Sequence, residues 1–275
     1  YEPVDVLIGK DGEWTARGFP TNPHDIFSKA HTVVDTTRMK GQEYQSLARR
    51  MGVPLLFSED HDVTLNREDL YRVLRQQDIK VPETFVVRAH DPLDDKVFRH
   101  LWTHFHTPLL IRPLIKNQAV QSKLIKRFHD LEEVLRKYHE EGIDVHVLTY
   151  KKLPTSSVAT LPHFRNEEIY TSMWVDSFQD GDELPSKNSH LRSHFQPPEF
   201  KKEHVTQLAK KIHKALGLKH PACIDFVYHN NHYITVNVDC NPSLRKDGRF
   251  AQSLATTGVE TGHYIHEHIK REFGR

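Results

Sequence analysis

Apolar and polar positions alternate along several short stretches of the chain and recur at helical spacing along others. Residues 4–8 predict a strand, Gly9-Lys-Asp-Gly12 a turn and residues 13–16 a returning strand. Val33-Val34 is a short apolar patch ahead of a helical pattern over 41–51. Asn66-Arg-Glu-Asp69 reads as a capping box, opening a helix with Leu70, Val73 and Leu74 on one face. Val81-Pro82 ends it, and 84–88 and 109–112 predict strands. Asp130, reinforced by Glu133, is expected to cap a helix whose apolar side carries Leu131, Val134, Leu135 and Tyr138. Residues 145–150, 156–161 and 168–175 alternate like strands. Residues 180–198 are polar, contain Gly and Pro, and are too long for an ordinary connection, which predicts a lid or a disordered segment. An amphipathic helix follows over 201–216 through Val205, Leu208, Ala209, Ile212 and Leu216, and another closes the chain near 259–273. Elements that alternate early and then become strand-rich with flanking helices indicate an α+β or mixed α/β fold.

Composition narrows the functional classes. The chain has 275 residues, and its 38 basic and 37 acidic side chains nearly cancel, which argues against an electrostatic nucleic-acid binder. Lys201-Lys202 and Lys210-Lys211 read as the solvated face of one helix. No apolar run approaches the ~20 residues of a membrane span and no signal peptide is visible, so a cytoplasmic protein is expected. Two cysteines, Cys223 and Cys240, give no disulfide framework. The 21 histidines are dispersed, and pairs such as His104/His106 and His263/His266/His268 read as surface or capping residues.

The chemistry concentrates in two apolar strand stretches, 222–228 and 233–242, each carrying a carboxylate. Asp239 and Asn241 share a face by alternation. A three-residue loop (Asn230, Asn231, His232) places Asp225 opposite Asn237 on that face, whereas a two-residue Asn-Asn turn places it on the other. Two carboxylates and an amide oxygen without Cys or His suit a hard cation, Mg²⁺ or Mn²⁺, held with a nucleotide's phosphates.

This hairpin, with its flanking residues, resembles the C-terminal metal-binding hairpin of the ATP-grasp ligases, and within them the D-alanine–D-alanine ligase family. The similarity runs in order over most of the chain. Tyr1–Trp14 resembles the family's second strand and hairpin, so the first strand and the glycine-rich loop are expected to be lacking. Gly52-Val-Pro-Leu-Leu56, residues 64–79 and Val81-Pro-Glu-Thr-Phe-Val-Val87 resemble the entry to the central subdomain. Pro108-Leu-Leu-Ile-Arg-Pro113 matches the strand whose basic residue touches ATP phosphates, and Gln196-Pro-Pro-Glu-Phe200 the exit from the mobile loop. The resemblance implies a shortened N-terminal subdomain at 1–62, a central ATP-grasp subdomain at 63–150 and a C-terminal one at 151–275.

It further implies an ATP-dependent carboxylate–amine ligase of cell-wall peptidoglycan biosynthesis, working through an acyl phosphate on small amino acids such as D-alanine, as a homodimer. Asp225, Asp239 and Asn241 are the implied metal ligands, and Arg67, Arg112, Lys187 and Arg192 the implied phosphate contacts. Arg245 and Lys246, which follow the metal motif together with Arg249, are the catalytic candidates, and Ser243 faces the second substrate's carboxylate. Several positions depart from the family. The loop 114–121 has no Gly or Ser, the hinge His146-Val-Leu-Thr-Tyr150 and the segment 153–158 carry no acid, and Cys223 stands where the family has an arginine. Two alternatives follow: a ligase-like nucleotide- or partner-binding protein without catalysis, and an ATP-grasp ligase with another acceptor such as a peptide.

Overall fold

A computed structural model describes residues 4–9, 12–35, 43–56, 67–114, 122–151, 153–177 and 199–273, excepting the side chains of 199–202 and 272–273. Contacts divide the chain into two units, 1–59 and 60–275. The first unit begins with strands β1 (Val6–Ile8), β2 (Trp14–Ala16) and β3 (Phe19–Pro20), which form an antiparallel sheet in the order β1-β2-β3. Helix α1 (Pro23–Phe27), capped by the Asn22 side chain, leads to β4 (Val33–Val34). Helix α2 (Glu43–Arg50) then precedes β5 (Leu55–Leu56), which pairs with β4 in parallel. Its core is Phe27, Tyr44, Ala48 and Val53, with Trp14 edge-on to Phe27 and Tyr44.

The second unit opens with α3 (Arg67–Gln76), β6 (Phe85–Val87), α4 (Asp95–His104), β7 (Leu109–Pro113), β8 (Lys123–Ile125), α5 (Phe128–Glu140) and β9 (Val145–Thr149). Strands β6, β9, β7 and β8 make one antiparallel sheet in that order. Phe98 and Leu101 of α4 and Leu131 and Leu135 of α5 bury one of its faces against Leu109, Ile111 and Val147. Helix α4 turns Val97, Phe98, Leu101 and Trp102 to one face, and Asp94 caps it by accepting from the amides of Lys96 and Val97. At α5 the expected cap is displaced. Arg127 is the N-cap residue, and Asp130 lies inside the first turn, where its carboxylate takes a forked ion pair from the Arg127 guanidinium at 2.7 and 2.9 Å.

Further along come β10 (Thr155–Phe164), β11 (Glu167–Thr171), β12 (Val175–Ser177), α6 (Glu199–Ala215), β13 (Ala222–His229), β14 (His232–Asp239), α7 (Arg249–Ala255) and α8 (Thr261–Phe273). Their sheet runs β11-β10-β13-β14, with β12 also on β10. The apolar stripe of α6 packs with Leu70, Tyr71 and Leu74 of α3 against Val158, Ile224 and Phe226 of this sheet. Helix α3 therefore lies over the hairpin face opposite to the one bearing Asp225, because alternation sends Ile224 and Phe226 to α3 and Asp225 away from it. Among the described residues no helix is long and apolar enough to cross a membrane.

Candidate functional site

The β13–β14 hairpin solves its register in a way that alternation alone does not foresee. Its turn is the two-residue one, Asn230-Asn231, with φ of 48° and 61° at the two positions. Positive φ at both central residues is the primed hairpin turn that follows the twist of the strands. From the turn outward His229 pairs with His232 and Phe226 with Thr235, and then the register shifts. Beyond the shift Asp225 pairs with Asn237 and Cys223 with Asp239. Val236 is the extra residue of a β-bulge, and the bulge reverses the alternation once. Asp225, Asn237 and Asp239 thus share one face despite the short turn. The Tyr71 hydroxyl donates to the Val236 carbonyl at 2.9 Å and the Thr235 amide to the Lys80 carbonyl at 2.8 Å, so the bulge is held from α3 and from the loop after it.

Asp225 is the centre of the network. Its side chain is only 8% exposed, and a carboxylate so covered requires donors in place of water. Ser157 Oγ, on the neighbouring strand β10, donates to Oδ1 at 2.6 Å. Oδ2 accepts from Arg249 Nη1 at 3.1 Å and from Asn237 Nδ2 at 3.2 Å. The Asn237 amide is in turn oriented by Arg67 Nη2, which donates to its Oδ1 at 3.2 Å. Asp239 closes the strand, and its Oδ1 accepts from the Asn241 backbone amide at 3.3 Å.

The cationic side of the site comes from α3 and β7. Arg67 is the first residue of α3, and Arg112 lies on β7 opposite His146 of β9. Arg112 hydrogen-bonds the Tyr71 phenol, and burial together with the nearby Arg67 charge lowers its pKa to about 10, which still leaves it charged at neutral pH. The His146 ring stacks on Tyr71 with centroids 6.3 Å apart. Burial, followed by the Arg67 charge, pushes its pKa down to about 4, so it is neutral, and among the described residues neither ring nitrogen has a hydrogen-bond partner. Arg88, nearby, is paired with Glu68 at 2.6 Å and Asp144 at 3.0 Å. Arg67 and Arg112 ion-pair with no carboxylate among the described residues; they face an amide and a phenol instead.

The remaining candidates are dispersed. Arg245 is exposed and forked onto Asp247 at 2.9 and 3.0 Å, Lys246 is exposed, and the half-buried Ser243 Oγ accepts from the Arg245 amide at 3.5 Å. Lys187 and Arg192 lie outside the described residues. Arg249 is the residue of this loop that reaches Asp225. Ser157, Asn237 and Tyr71 complete the network without any motif to single them out, although Asn237 is marked by its position two residues before Asp239.

A divalent cation does not fit Asp225 Oδ2 as it stands. Mg²⁺ needs a carboxylate oxygen at about 2.0–2.1 Å, and Oδ2 already takes two protein donors, one of them a guanidinium, while Oδ1 holds the Ser157 hydroxyl. Among the described residues no group of three Cys, His, Asp or Glu side chains converges as a metal site.

No protein-family model matches the chain. It is 26% identical over 172 residues to the D-alanine–D-alanine ligase of Francisella tularensis subsp. novicida, covering 60% of this chain and 55% of that protein. With the ligase of Francisella philomiragia it shares 23% over 164 residues, 58% of this chain and 53% of that protein. The chain thus spans about half the length of the curated relatives it matches. Among solved structures it is similar to the D-alanine–D-alanine ligase of Bacillus anthracis complexed with ATP, with TM-score 0.69, 15% identity and coverage of 90% and 82% of the two chains. It is also similar to D-alanyl-alanine synthetase A of Vibrio cholerae, with TM-score 0.75, 14% identity and coverage of 98% and 87%. The chain is thus similar in sequence to D-alanine–D-alanine ligases over 60% of its length and shares their ATP-grasp fold.

Proposed function

We propose that this chain binds ATP at the Arg67–Arg112 face and uses it as a ligase, activating a carboxylate for attack by an amine. The observation that carries the reading is a pair of guanidiniums, the charge of one bearing on the other, without a carboxylate partner among the described residues. Two like charges partly withdrawn from water are unfavourable alone and favourable around a polyanion. In the reaction a substrate carboxylate oxygen attacks the γ-phosphorus of ATP and ADP departs. The amine of a second substrate then attacks the acyl carbon, phosphate leaves, and the amine proton passes to solvent. Arg67 and Arg112 hold the phosphates, a contribution of position and charge with no covalent step of their own. Lys187 and Arg192 are proposed to complete the phosphate contacts, Arg245 and Lys246 to meet the developing charge, and Ser243 to take the second substrate's carboxylate. Subdomains at 1–62, 63–150 and 151–275, soluble amino-acid substrates, a homodimer and a cytoplasmic location belong to the same proposal. No step is routed through Mg²⁺, since Arg249 and Asn237 fill Asp225 Oδ2.

A second reading, nucleotide binding without ligation, is favoured by the occupied Asp225 and by a hinge in which His146 stands among apolar and hydroxyl residues with no acid. Isotope transfer separates the two. An amino acid labelled with ¹⁸O in its carboxylate passes one label to inorganic phosphate if an acyl phosphate forms and is resolved by an amine. Nucleotide binding with unlabelled phosphate across an amino-acid and peptide screen supports the second reading.

A further inference from the structure

Arg249 is fixed more firmly than a loop arginine. It is the first residue of α7, whose Phe250 and Leu254 are buried. Ser253 of α7 donates to the Ser157 carbonyl at 3.1 Å and lies 2.6 Å from Ser172 Oγ, tying the helix to β10, the strand that also supplies Ser157 Oγ to Asp225. Gly248 precedes it in a packed loop, where a Cβ would stand 3.1 Å from the carbonyls of Ser243 and Arg245. The Arg249 guanidinium, 32% exposed, uses one nitrogen on Asp225 at 3.1 Å. A guanidinium carries five N–H donors, so several remain for a ligand.

A positive charge anchored by a carboxylate behind and open to an anion in front is what a divalent ion supplies in a carboxylate-rich phosphate site. We propose that Arg249 is the resident cation of this site: it occupies Asp225 in place of a divalent metal and presents its remaining donors to the phosphates of the ligand. The inference rests on the phosphate-binding reading above and deepens it. Arg249 neutralises ligand charge without exchanging with solvent cations, and metal entry at Asp225 Oδ2 requires its displacement.

Two measurements on the full chain test this. The first is calorimetric titration of ATP in Mg²⁺ and in EDTA, for wild type and Arg249→Met. Wild type is expected to bind nearly as well in EDTA as in Mg²⁺, and Arg249→Met to lose about tenfold or more in EDTA, the worth of a charge-assisted hydrogen bond. A wild-type affinity that collapses in EDTA, with Arg249→Met unchanged, overturns the assignment. The second is a Mn²⁺ titration followed by electron paramagnetic resonance, without nucleotide. Arg249→Met is expected to gain Mn²⁺ binding that Asp225→Asn abolishes. Wild type already binding Mn²⁺ through Asp225, or no gain in Arg249→Met, overturns it. If ATP fails to bind under either condition, the nucleotide reading falls, and the Mn²⁺ titration still decides the role of Arg249. If Arg249→Met does not fold, Asp225→Asn/Arg249→Met removes the pair without stranding a buried carboxylate. Loss of EDTA-resistant ATP binding in that double variant supports the assignment, and its retention overturns it.

Discussion

Two buried histidines should make the second unit acid-labile well above the range where carboxylates titrate. His146 and His213 are each 1% exposed, and burial lowers the pKa of both to about 4. His213, on α6, keeps one hydrogen bond, Nδ1 to Thr160 Oγ1 at 2.8 Å, while His146 has none among the described residues. Both must be neutral in the folded chain, whereas an unfolded histidine titrates near 6.5. The unfolded state therefore binds more protons as pH falls below 6.5, and stability falls with it, down to about pH 4. At pH 5 the free energy lost per histidine is RT ln[(1 + 10^1.5)/(1 + 10^−1)], about 2 kcal/mol, hence about 4 kcal/mol for the two. That is a large part of the ~5–15 kcal/mol of an ordinary domain. Asp176, whose pKa burial raises, acts in the opposite direction and offsets part of the loss. The assay is urea unfolding at pH 7.5, 6 and 5 followed by Trp102 and Trp174, which lie in the second unit, with Trp14 replaced by Phe. His146→Phe keeps a ring to stack on Tyr71 and should remove about half of the pH dependence. Stability equal at pH 7.5 and 5, or a full pH dependence retained in His146→Phe, refutes the reasoning.

Other expected outcomes concern the hairpin. Ser157→Ala leaves Asp225 Oδ1 without its 2.6 Å donor and should cost about 1–3 kcal/mol in urea unfolding, against a few tenths for an exposed serine. Tyr71→Phe removes the donor to the bulge carbonyl at Val236 and a partner of Arg112, for about 1 kcal/mol, and should alter the amide exchange of Val236 and Asn237. Asn231→Gly suits the φ of 61° better than asparagine does and should raise stability by a few tenths of a kcal/mol without changing the register seen in cross-strand NOEs.

Much of the fold is legible in the chain because periodicity and punctuation agree. The stripe Val205, Ala209, Ile212 and Leu216 lies on one buried helix face, and Leu109–Pro113 and the alternating hairpin strands form as their patterns require. Helix α4 is missed although the chain carries its signal, with Val97, Phe98, Leu101 and Trp102 on one face behind the cap Asp94, whereas the seven-residue α7 is too short for a period to show and is tied down by tertiary contacts through Ser253. In the site, Asp225 and Asp239 stand out in the chain as carboxylates within apolar strands. What joins them, however, is a bulge, and a bulge is a tertiary decision: nothing at Val236 itself announces that Tyr71, 165 positions earlier, will take its carbonyl. The partner of Asp225 is likewise undetermined by spacing. Arg245, Lys246 and Arg249 are equivalent as charges in a loop, and only the start of α7 turns Arg249 inward while Arg245 closes on Asp247.

The central claim is that Arg67 and Arg112 form the seat of a polyphosphate. It is tested most directly by calorimetric titration of ATP into the wild-type chain and into Arg67→Met/Arg112→Met. Saturable binding to the wild type, weakened by at least about tenfold to a hundredfold in the folded double variant, is the predicted result. No binding by the folded wild type at millimolar ATP, or equal binding by the double variant, would contradict it.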